Sequence, residues 1–397
     1  MRVVIVSPYS VVPPRYGGPL RVFHLARELG REHDVLVLAK QAQRSEVLHG
    51  FKPVTRDGDH FVETAFRDPT SVIAYGISSY LLRCPPFWQS AIAGRSETTR
   101  IREVLGSADV VHIEQPWPFA GVREHLRDLG VAPKLVFSAQ NFEAGLNPPS
   151  SIRGGWLLGK PIARSIEHLE REAVGSADAH LAVTTDDAAN LNDRYGHRDW
   201  VIIPNGVDTD HRRPASHEER RTARADLGVT NGHVALFVGS LHGPNVEAAR
   251  IVLRVAQETA LRDVTFLIVG AVAGAIGERV PTNVRLVGPV ESVDAYFQAA
   301  DVAVNPMLRG SGTNLKQLDY MAMGLPTITT PAGARGLPVE NGVTGVVLEP
   351  DRFVEDFATA LARCDRSMGV AARDAVRATH DWRTIGDSLR AVYRRLI

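Results

Sequence analysis

The sequence predicts an α/β protein built from two doubly wound domains. Short apolar runs rich in Val and Ile alternate with amphipathic helical stretches, which is typical of βαβ units around a parallel sheet. The pattern is interrupted at residues 203–208, where Pro204 and the pair Asn205-Gly206 indicate a turn, and it then begins again. At about 150 residues per domain, 397 residues make two or three domains. We therefore expect two domains that join near residue 205.

The first half of the chain begins with an apolar strand directly after Met1. Its strands are predicted at residues 3–7, 34–39, 110–113, 135–138, 179–183 and 201–203. The clearest helices of this half are predicted at residues 20–30 and 163–177. Residues 51–100 mix polar and apolar positions without a clear period, so we expect partly irregular structure there.

The second half repeats the same order of elements. Its strands are predicted at residues 234–239, 264–270, 284–287, 302–305 and 327–330. A last helix is predicted at residues 382–396, and its Arg-rich face is compatible with packing on either domain. The predicted domains are residues 1–205 and residues 206–379, and the helix within residues 380–397 can pack back on the first domain.

Charge and composition exclude several classes of protein. The 45 Lys and Arg residues balance the 45 Asp and Glu residues, in both halves of the chain, so a nucleic-acid partner is not expected. Cys84 and Cys364 have neither disulfide nor metal spacing, which predicts a reducing compartment and a cytoplasmic protein. The longest apolar stretch, residues 266–277, is shorter than the roughly 20 residues of a membrane span. Motifs of zinc proteases, serine hydrolases and Walker-type ATPases do not occur.

The most informative segment is residues 305–326, which reads as a strand, a glycine-rich loop, a helix and a tight turn. Gly310 and Gly312 let backbone N–H groups approach a ligand, and the helix start carries a partial positive charge. Arg309 and Lys316 add two full charges where a diphosphate would lie. The loop follows a strand, and open α/β sheets bind ligands at that edge. The segment therefore predicts a phosphate site.

Asp319 lies three residues after Lys316 on the same helix face. Its carboxylate can accept hydrogen bonds from two ribose hydroxyls, which would extend the phosphate site to a nucleotide. A purely structural interpretation stays open. In that interpretation residues 311–313 form a helix N-cap, and Lys316 and Asp319 form a surface pair.

A second glycine pair, Gly17-Gly18, follows the first strand of the other half. It does not fit the G-x-G-x-x-G pattern, so nicotinamide binding has little support. Two glycine loops, one in each domain, would be expected to face each other across a cleft. Taken alone, a pair such as Gly17-Gly18 is more often a simple turn than a ligand loop.

These residues resemble the retaining nucleotide-sugar glycosyltransferases of family four, which have two Rossmann-like domains in the GT-B arrangement. The resemblance covers nearly the whole chain, and residues 309–326 are its most specific part. It also includes the first strand with Gly17-Gly18 and residues 109–112, 134–143, 203–208 and 237–240. It implies a hexosyltransferase-type enzyme that moves a sugar from a nucleoside diphosphate sugar to an acceptor with retention of the anomeric configuration. No metal ion or other cofactor is expected.

The resemblance also assigns roles to the domains and to single residues. Residues 1–205 are expected to bind the acceptor, and residues 206–379 the nucleotide sugar. Arg309 and Lys316 are the expected catalytic residues at the leaving diphosphate, and His112 is the expected catalytic residue on the acceptor side. The expected acceptor-side residues are His112, Glu114 and Gln140. The expected donor-binding residues are Gly17, Gly18, Gly239, Ser240, Gly288, Val290, Arg309, Gly310, Ser311, Gly312, Thr313, Asn314, Leu315, Lys316 and Asp319. It is equally open that His112 only caps the end of a strand.

Several positions depart from the family pattern. Ser311 replaces the first of two acidic residues, and Asp319 stands where the second is usually Glu. Gln140 replaces a histidine near the donor sugar. After Gly239, the chain has Ser240, His242 and Asn245 instead of a basic pair. A nucleotide-sugar-binding protein without transfer activity is therefore an alternative, a sugar-nucleotide epimerase is a weaker one, and an oxidoreductase is weaker still.

The acceptor and the membrane are less well defined by the sequence. A small molecule, a glycan or a lipid-linked sugar would suit the resemblance. The aromatic residues Phe87, Trp88, Trp117 and Phe119 are compatible with contact to a lipid or an aromatic acceptor, and equally with a place in the core. Peripheral membrane contact is compatible with the sequence. Asp208-Thr209-Asp210 imitates a metal-binding Asp-x-Asp motif, but it lies in the segment that joins the domains, so no metal ligand is assigned.

Overall fold

The computed structural model describes residues 1–14, 17–41, 54–67, 77–82, 98–152, 155–229, 232–277, 279–309 and 312–396. The chain forms two compact units, one of Met1–Pro204 with Ile385–Ile397 and the other of Asn205–Thr384. Each unit contains one sheet in which nearly all neighbouring strands are parallel. The predicted fold class, two α/β units of doubly wound type, is confirmed.

The first unit contains an eight-stranded sheet. Its strands are β1 (Arg2–Ser7), β2 (Asp34–Gln41), β3 (Val54–Gly58), β4 (Phe61–Arg67), β5 (Val110–Glu114), β6 (Lys134–Ala139), β7 (Ala179–Ala182) and β8 (Trp200–Ile202). They are ordered β3-β4-β2-β1-β5-β6-β7-β8, and β3 pairs with β4 in antiparallel orientation while the other pairs are parallel. β5 is buried along its whole length, because the central strands of such a sheet are covered on both faces.

Helices connect most of these strands. They are α1 (Gly17–Leu29), α2 (Thr98–Gly106), α3 (Phe119–Leu129), α4 (Glu143–Leu146), α5 (Lys160–Ser176) and α6 (Thr185–Tyr195). α3 ends at Gly130, whose left-handed φ of 67° suits a glycine. α6 begins at an N-cap, because the side chain of Thr184 accepts a hydrogen bond from the N–H of Asp187.

The second unit contains a six-stranded, fully parallel sheet. Its strands are β9 (His233–Val238), β10 (Val264–Val269), β11 (Val284–Val287), β12 (Val302–Asn305), β13 (Thr327–Thr329) and β14 (Val346–Val347). The order is β11-β10-β9-β12-β13-β14. Its helices are α7 (His217–Asp226), α8 (Gly243–Ala256), α9 (Asp294–Ala299), α10 (Leu315–Ala322), α11 (Pro331–Ala334), α12 (Phe353–Arg363) and α13 (Arg366–Thr379). A capping box formed by Ser216 and Glu219 starts α7.

The last helix, α14 (Trp382–Leu396), continues from the second unit into the first. From Ile385 onward it packs on the first unit, where Arg390 Nη1 donates to the backbone oxygen of Glu28 at 2.7 Å. Gly386 permits this close approach, since a Cβ at that position would lie 2.6 Å from Glu28 Cβ. The ring of Tyr393 is fully buried.

The structure decides two points that the sequence left open. Partly irregular structure was expected over residues 51–100, and the part of this segment at residues 54–67 forms the β3–β4 hairpin. Trp117 and Phe119 are 2% and 0% exposed, so they belong to the core and not to a surface that meets a lipid. Phe87, Trp88 and Cys84 lie outside the described residues.

Candidate functional site

In the second unit, β9 has β10 on one side and β12 on the other, so the strand order changes direction there. Ligands of open α/β sheets bind at the carboxyl ends of the strands at such a switch point. Gly239 and Ser240 follow β9, and residues 306–309 follow β12. The segments on which the predicted donor site rests therefore begin at the switch point of this sheet.

The segment Gly312–Asn314 leads into α10 and is held by a buried amide cluster. Gly312 has a left-handed φ of 62°, which a glycine adopts without strain. Asn314 Nδ2 donates to Asn305 Oδ1 at 3.3 Å, and Asn305 Nδ2 donates to Gln317 Oε1 at 3.0 Å. These bonds join the loop, the end of β12 and the first turn of α10.

Two buried polar atoms beside this loop have no hydrogen-bond partner within the described ranges, namely Thr313 Oγ1 and Gln317 Nε2. Most buried polar atoms in proteins are hydrogen-bonded. Both atoms therefore retain capacity for a ligand or a water molecule. Gly310 and Ser311 lie outside the described residues, and Leu315, the first residue of α10, packs against an apolar cluster.

Lys316 is the cation of this site. Its Nζ donates to Asn245 Oδ1 at 2.5 Å and lies 4.5 Å from the centre of the Phe237 ring. Burial lowers the pKa of Lys316 to about 7. Among the described residues no carboxylate pairs with it, and the alternative surface pair with Asp319 is not formed. An incoming anion would supply the missing counter-charge.

Asn245 connects Lys316 to the end of β9. Its Nδ2 donates to the backbone oxygen of Ser240 at 3.1 Å and to Ser240 Oγ at 3.0 Å. Gly239 fits tightly here, since a Cβ would lie 3.0 Å from Val272 Cγ1. Asn245, held by Ser240, thus positions Lys316 and contributes no charge of its own.

Arg309 has a different environment from the one expected. Its Nε donates to Glu247 Oε2 at 3.0 Å, and its side chain is 68% exposed. The hydrogen bond and charge of Glu247 raise the pKa of Arg309, which stays charged but already has a counter-ion. In this structure Arg309 is therefore a surface ion pair and not the free cation that the sequence suggested.

Asp319 is paired through the segment that precedes α7. Arg212 Nε donates to Asp319 Oδ1 at 3.3 Å, and Arg212 also bonds Asp294. Burial raises the pKa of Asp319 to about 6, although the positive charge of Arg212 opposes this shift. The carboxylate is thus oriented, and near neutral pH it is largely ionised.

The remaining donor-side residues of the second unit lie after β11. Gly288 is exposed, and its backbone oxygen accepts from the N–H of Gly270 at 3.3 Å. Val290 is half-buried and packs against an apolar cluster of the sheet. Both remain at the carboxyl edge, and no side-chain contact links them to Lys316.

A further cation beside the loop was missed by the sequence analysis. Arg335, directly after α11, donates from Nη2 to the backbone oxygen of Gly312 at 2.9 Å. The two residues are separated by 23 positions in the sequence. Only the packing of α11 next to the loop brings them together, so no local pattern could have indicated it.

In the first unit, β1 lies between β2 and β5, which makes it the switch point of that sheet. His112, on β5, is fully buried. Its Nδ1 is 2.7 Å from Tyr393 Oη, and its Nε2 is 3.0 Å from Glu114 Oε1. The expected catalytic role of His112 therefore needs correction. With both ring nitrogens bonded in the interior, it positions its neighbours and cannot touch an acceptor.

Glu114 is also fully buried and is held from three sides. Gln140 Nε2 donates to Glu114 Oε2 at 2.8 Å, and Arg21 Nε lies 3.9 Å from the same oxygen. Burial alone would raise the pKa of Glu114, but the hydrogen bond from His112 and the charge of Arg21 outweigh it and lower the pKa. Glu114 is an ionised support of the site and does not contact solvent.

Gln140 is half-buried and reaches the start of α1. Its Nε2 lies 2.7 Å from Tyr9 Oη, which packs against Gly18 so closely that a Cβ there would lie 2.4 Å from the hydroxyl. Gly17 is the first residue of α1. Gly18 thus makes room for Tyr9 at this edge.

Gln115 was not singled out from the sequence. It has a φ of 63°, unusual for a residue other than glycine, and such conformations concentrate at functional sites. Gln115 Nε2 donates to Gln140 Oε1 at 3.2 Å and its Oε1 accepts from Trp117 Nε1 at 2.8 Å. Its position after the carboxyl end of β5 is the one signal that the sequence carried.

Among the residues that the structure describes, no three His, Cys, Asp or Glu side chains are grouped so that they could hold a metal ion. In the same set, no helix has both the length and the apolar character to cross a membrane.

Two family models match the chain. "Glycosyltransferase Family 4" matches residues 17–211, and "Glycosyl transferases group 1" matches residues 232–365. The two models thus fall on the first and the second unit.

Curated relatives are named D-inositol 3-phosphate glycosyltransferase. The protein of Geodermatophilus obscurus is 33% identical over 59% of this chain and 56% of its own length. That of Mycobacterium avium is 31% identical over 74% of this chain and 70% of its own length. The chain therefore matches less than two thirds of the length of the first of these relatives.

Solved structures share the fold at low identity. Sucrose-phosphate synthase from Thermosynechococcus elongatus superimposes with a TM-score of 0.72 at 16% identity, over 100% of this chain and 99% of its own. Anabaena HepE in complex with UDP-glucose gives a TM-score of 0.68 at 14% identity, over 99% of each chain.

The chain has two parallel-sheet α/β units, and in the second unit a loop and a helix start lie at the switch point of the sheet. This is the fold of the GT-B proteins. Within that class, the chain belongs to the glycosyltransferases, with a family 4 first unit and a group 1 second unit.

Proposed function

We propose that this protein transfers a glycosyl group from a nucleoside diphosphate sugar to an acceptor hydroxyl, with retention of the anomeric configuration. The observation that carries the proposal is Lys316, a half-buried amine without a carboxylate partner in the described residues, beside a glycine loop at the switch point of the second sheet. Anabaena HepE, which shares the fold, is known in complex with UDP-glucose, so a uridine nucleotide is the first donor to test.

Different residues of the second unit would bind different parts of the donor. The N–H groups of Gly312–Asn314 and the start of α10 would bind the diphosphate. Lys316 would neutralise the charge that builds on the leaving oxygen, and a preorganised donor at such a place lowers the barrier by about 3 kcal/mol. The carboxylate of Asp319 would accept hydrogen bonds from ribose hydroxyls.

The transfer step exchanges one bond to the anomeric carbon for another. The bond between that carbon and the diphosphate oxygen breaks, and the electron pair leaves with the phosphate. The acceptor oxygen attacks from the same face and its proton passes to the departing phosphate oxygen. This route needs no protein nucleophile and no metal ion.

The first unit is proposed to bind the acceptor. Tyr9, Gln115 and Gln140 offer half-buried neutral hydrogen-bonding groups at the carboxyl edge, which suits a hydroxylated small molecule, a glycan or a lipid-linked sugar. The names of the relatives make a polyol phosphate the first acceptor to try.

Calorimetric titration with UDP, GDP, dTDP and ADP in the presence of EDTA tests the donor assignment. We expect one of them to bind, and Lys316→Ala to weaken the binding. Transfer from the matching sugar nucleotide is then followed by NMR of the anomeric proton, where a retained configuration is expected. Absence of binding by all four would contradict the proposal, and binding without transfer to any acceptor would favour a binding protein.

A further inference from the structure

The donor site is short of free positive charge if Lys316 acts alone. A nucleoside diphosphate carries several negative charges, and Arg309 is already paired with Glu247. Arg212 is likewise engaged by Asp294 and Asp319. Since this shortfall concerns the diphosphate, the inference below rests on the proposed function and extends it.

Arg335 is half-buried and lies against the donor loop. Its Nη2 donates to the backbone oxygen of Gly312 at 2.9 Å. Among the residues that the structure describes, its other guanidinium N–H groups bond no protein atom and no carboxylate pairs with it. A charged fork thus stands beside the loop with most of its hydrogen-bonding capacity unused.

The backbone that carries Arg335 is fixed by the same residues that order the loop. Asn305 Nδ2, which also bonds Gln317, lies 3.4 Å from the backbone oxygen of Gly333. A Cβ on Gly333 would lie 2.3 Å from Thr329 Oγ1 and 2.7 Å from the Asn305 carbonyl oxygen. α11 therefore packs directly on the end of β12, and the guanidinium needs little ordering when a ligand arrives.

We propose that Arg335 binds the terminal phosphate of the nucleoside diphosphate as the second cation of the donor site. A guanidinium fork matches two phosphate oxygens, whereas the ammonium of Lys316 acts as a point charge. The two cations would therefore complement each other.

The test compares a diphosphate with its monophosphate. UDP and UMP are titrated calorimetrically into the full chain, the Arg335→Gln and Arg335→Lys variants, and the control Arg352→Gln. Arg352 pairs with Asp356 on the exposed face of α12 in the same unit. If the donor screen selects another base, its own diphosphate and monophosphate replace this pair.

We expect Arg335→Gln to weaken UDP binding by about 10-fold or more, because a hydrogen bond to a charged group is lost. UMP binding should change by less than about twofold, which also shows that the variant is folded. Arg335→Lys should lie between, and Arg352→Gln should match the parent chain.

Equal losses for UDP and UMP would overturn the inference, because Arg335 would then only hold Gly312 in place. UDP binding by Arg335→Gln that matches the parent chain would overturn it as well. If the parent chain binds no nucleotide of either kind, the proposed function itself fails, and that result is distinct from the first two.

Discussion

The switch points of the two sheets use charge in opposite ways. In the first unit, Glu114 is enclosed by His112, Arg21 and Gln140, and the cluster is buried. In the second unit, the described hydrogen-bond acceptors of Lys316 are neutral, namely Asn245 Oδ1 and Met307 Sδ, and its pKa is lowered. The cluster around Glu114 stabilises the sheet of the first unit, whereas the amine of Lys316 stays available to bind an anionic ligand.

This difference shows that a titratable residue at the carboxyl end of a strand does not by itself indicate catalysis. What distinguishes the two units is whether the charge already has its counter-charge. Shifted pKa values mark functional sites only in part, because structural ion-pair networks shift them too. Substitutions should therefore change stability in the first unit and ligand binding in the second.

The largest effect is expected from Glu114→Gln in the first unit. The change keeps the size of the side chain but removes the negative charge beside the buried guanidinium of Arg21. Breaking a buried pair costs about 3–5 kcal/mol of unfolding free energy, measured by urea denaturation. Glu172→Gln is the matched control, because its pair with Arg123 is partly exposed and should be worth less than about 1 kcal/mol. Equal losses in both variants would refute the bracing role.

Lys316→Ala should have the next largest effect, on turnover. Loss of a preorganised donor at the leaving group costs about 100-fold or more in kcat. Steady-state assays with the donor found by calorimetry measure it, with Arg352→Gln as the control for loss of a surface charge. Near-parental turnover in Lys316→Ala would contradict the role of Lys316 at the leaving group, and with it the proposed difference between the two switch points.

Several elements were predictable because their signals are local. The parallel strands read as Val- and Ile-rich runs, and β11 and β12 have the bounds that the sequence predicted. Lys316 and Asp319 follow from their spacing after a strand and a glycine loop. The β3–β4 hairpin was missed because polar side chains face inward there. Glu63, for example, is fully buried and accepts from the N–H groups of Val11 and Val12.

The remaining features depend on contacts between distant parts of the chain. His112 looked accessible at a strand end, but Tyr393 of the last helix covers it from 281 positions away. Arg309 stood next to the loop in sequence, and Glu247 of α8 neutralises it. Arg335 reaches Gly312 through the packing of α11. The sequence locates the loop, whereas tertiary packing decides which cation beside it is free.

The pH dependence of donor binding sharpens the comparison. Asp319 loses its charge as the pH falls through about 6, and Lys316 loses its charge as the pH rises through about 7. Affinity for UDP-glucose, or for the sugar nucleotide found by the screen, should be highest between these values. It should fall by up to about 10-fold per pH unit on either side.

Two variants test separately the acidic and the alkaline side of this pH profile of donor affinity. Lys316→Arg should flatten the alkaline limb, and Asp319→Asn the acidic one. A sugar nucleotide is used because its phosphates do not titrate in this range. A flat profile from pH 5 to 9 in the parent chain would mean that neither group meets the ligand.

The smallest effect is expected from Arg309→Gln, although the sequence placed Arg309 beside the phosphate. Its guanidinium is exposed and already bonded to Glu247, so its loss removes little free charge from the loop. We expect kcat/KM for the donor to fall by less than about fivefold, well below the loss in Lys316→Ala.

A 100-fold loss in Arg309→Gln would mean that donor binding breaks the pair with Glu247. Glu247→Gln distinguishes that case, because freeing Arg309 should then raise donor affinity in calorimetry, whereas an idle ion pair would leave it unchanged.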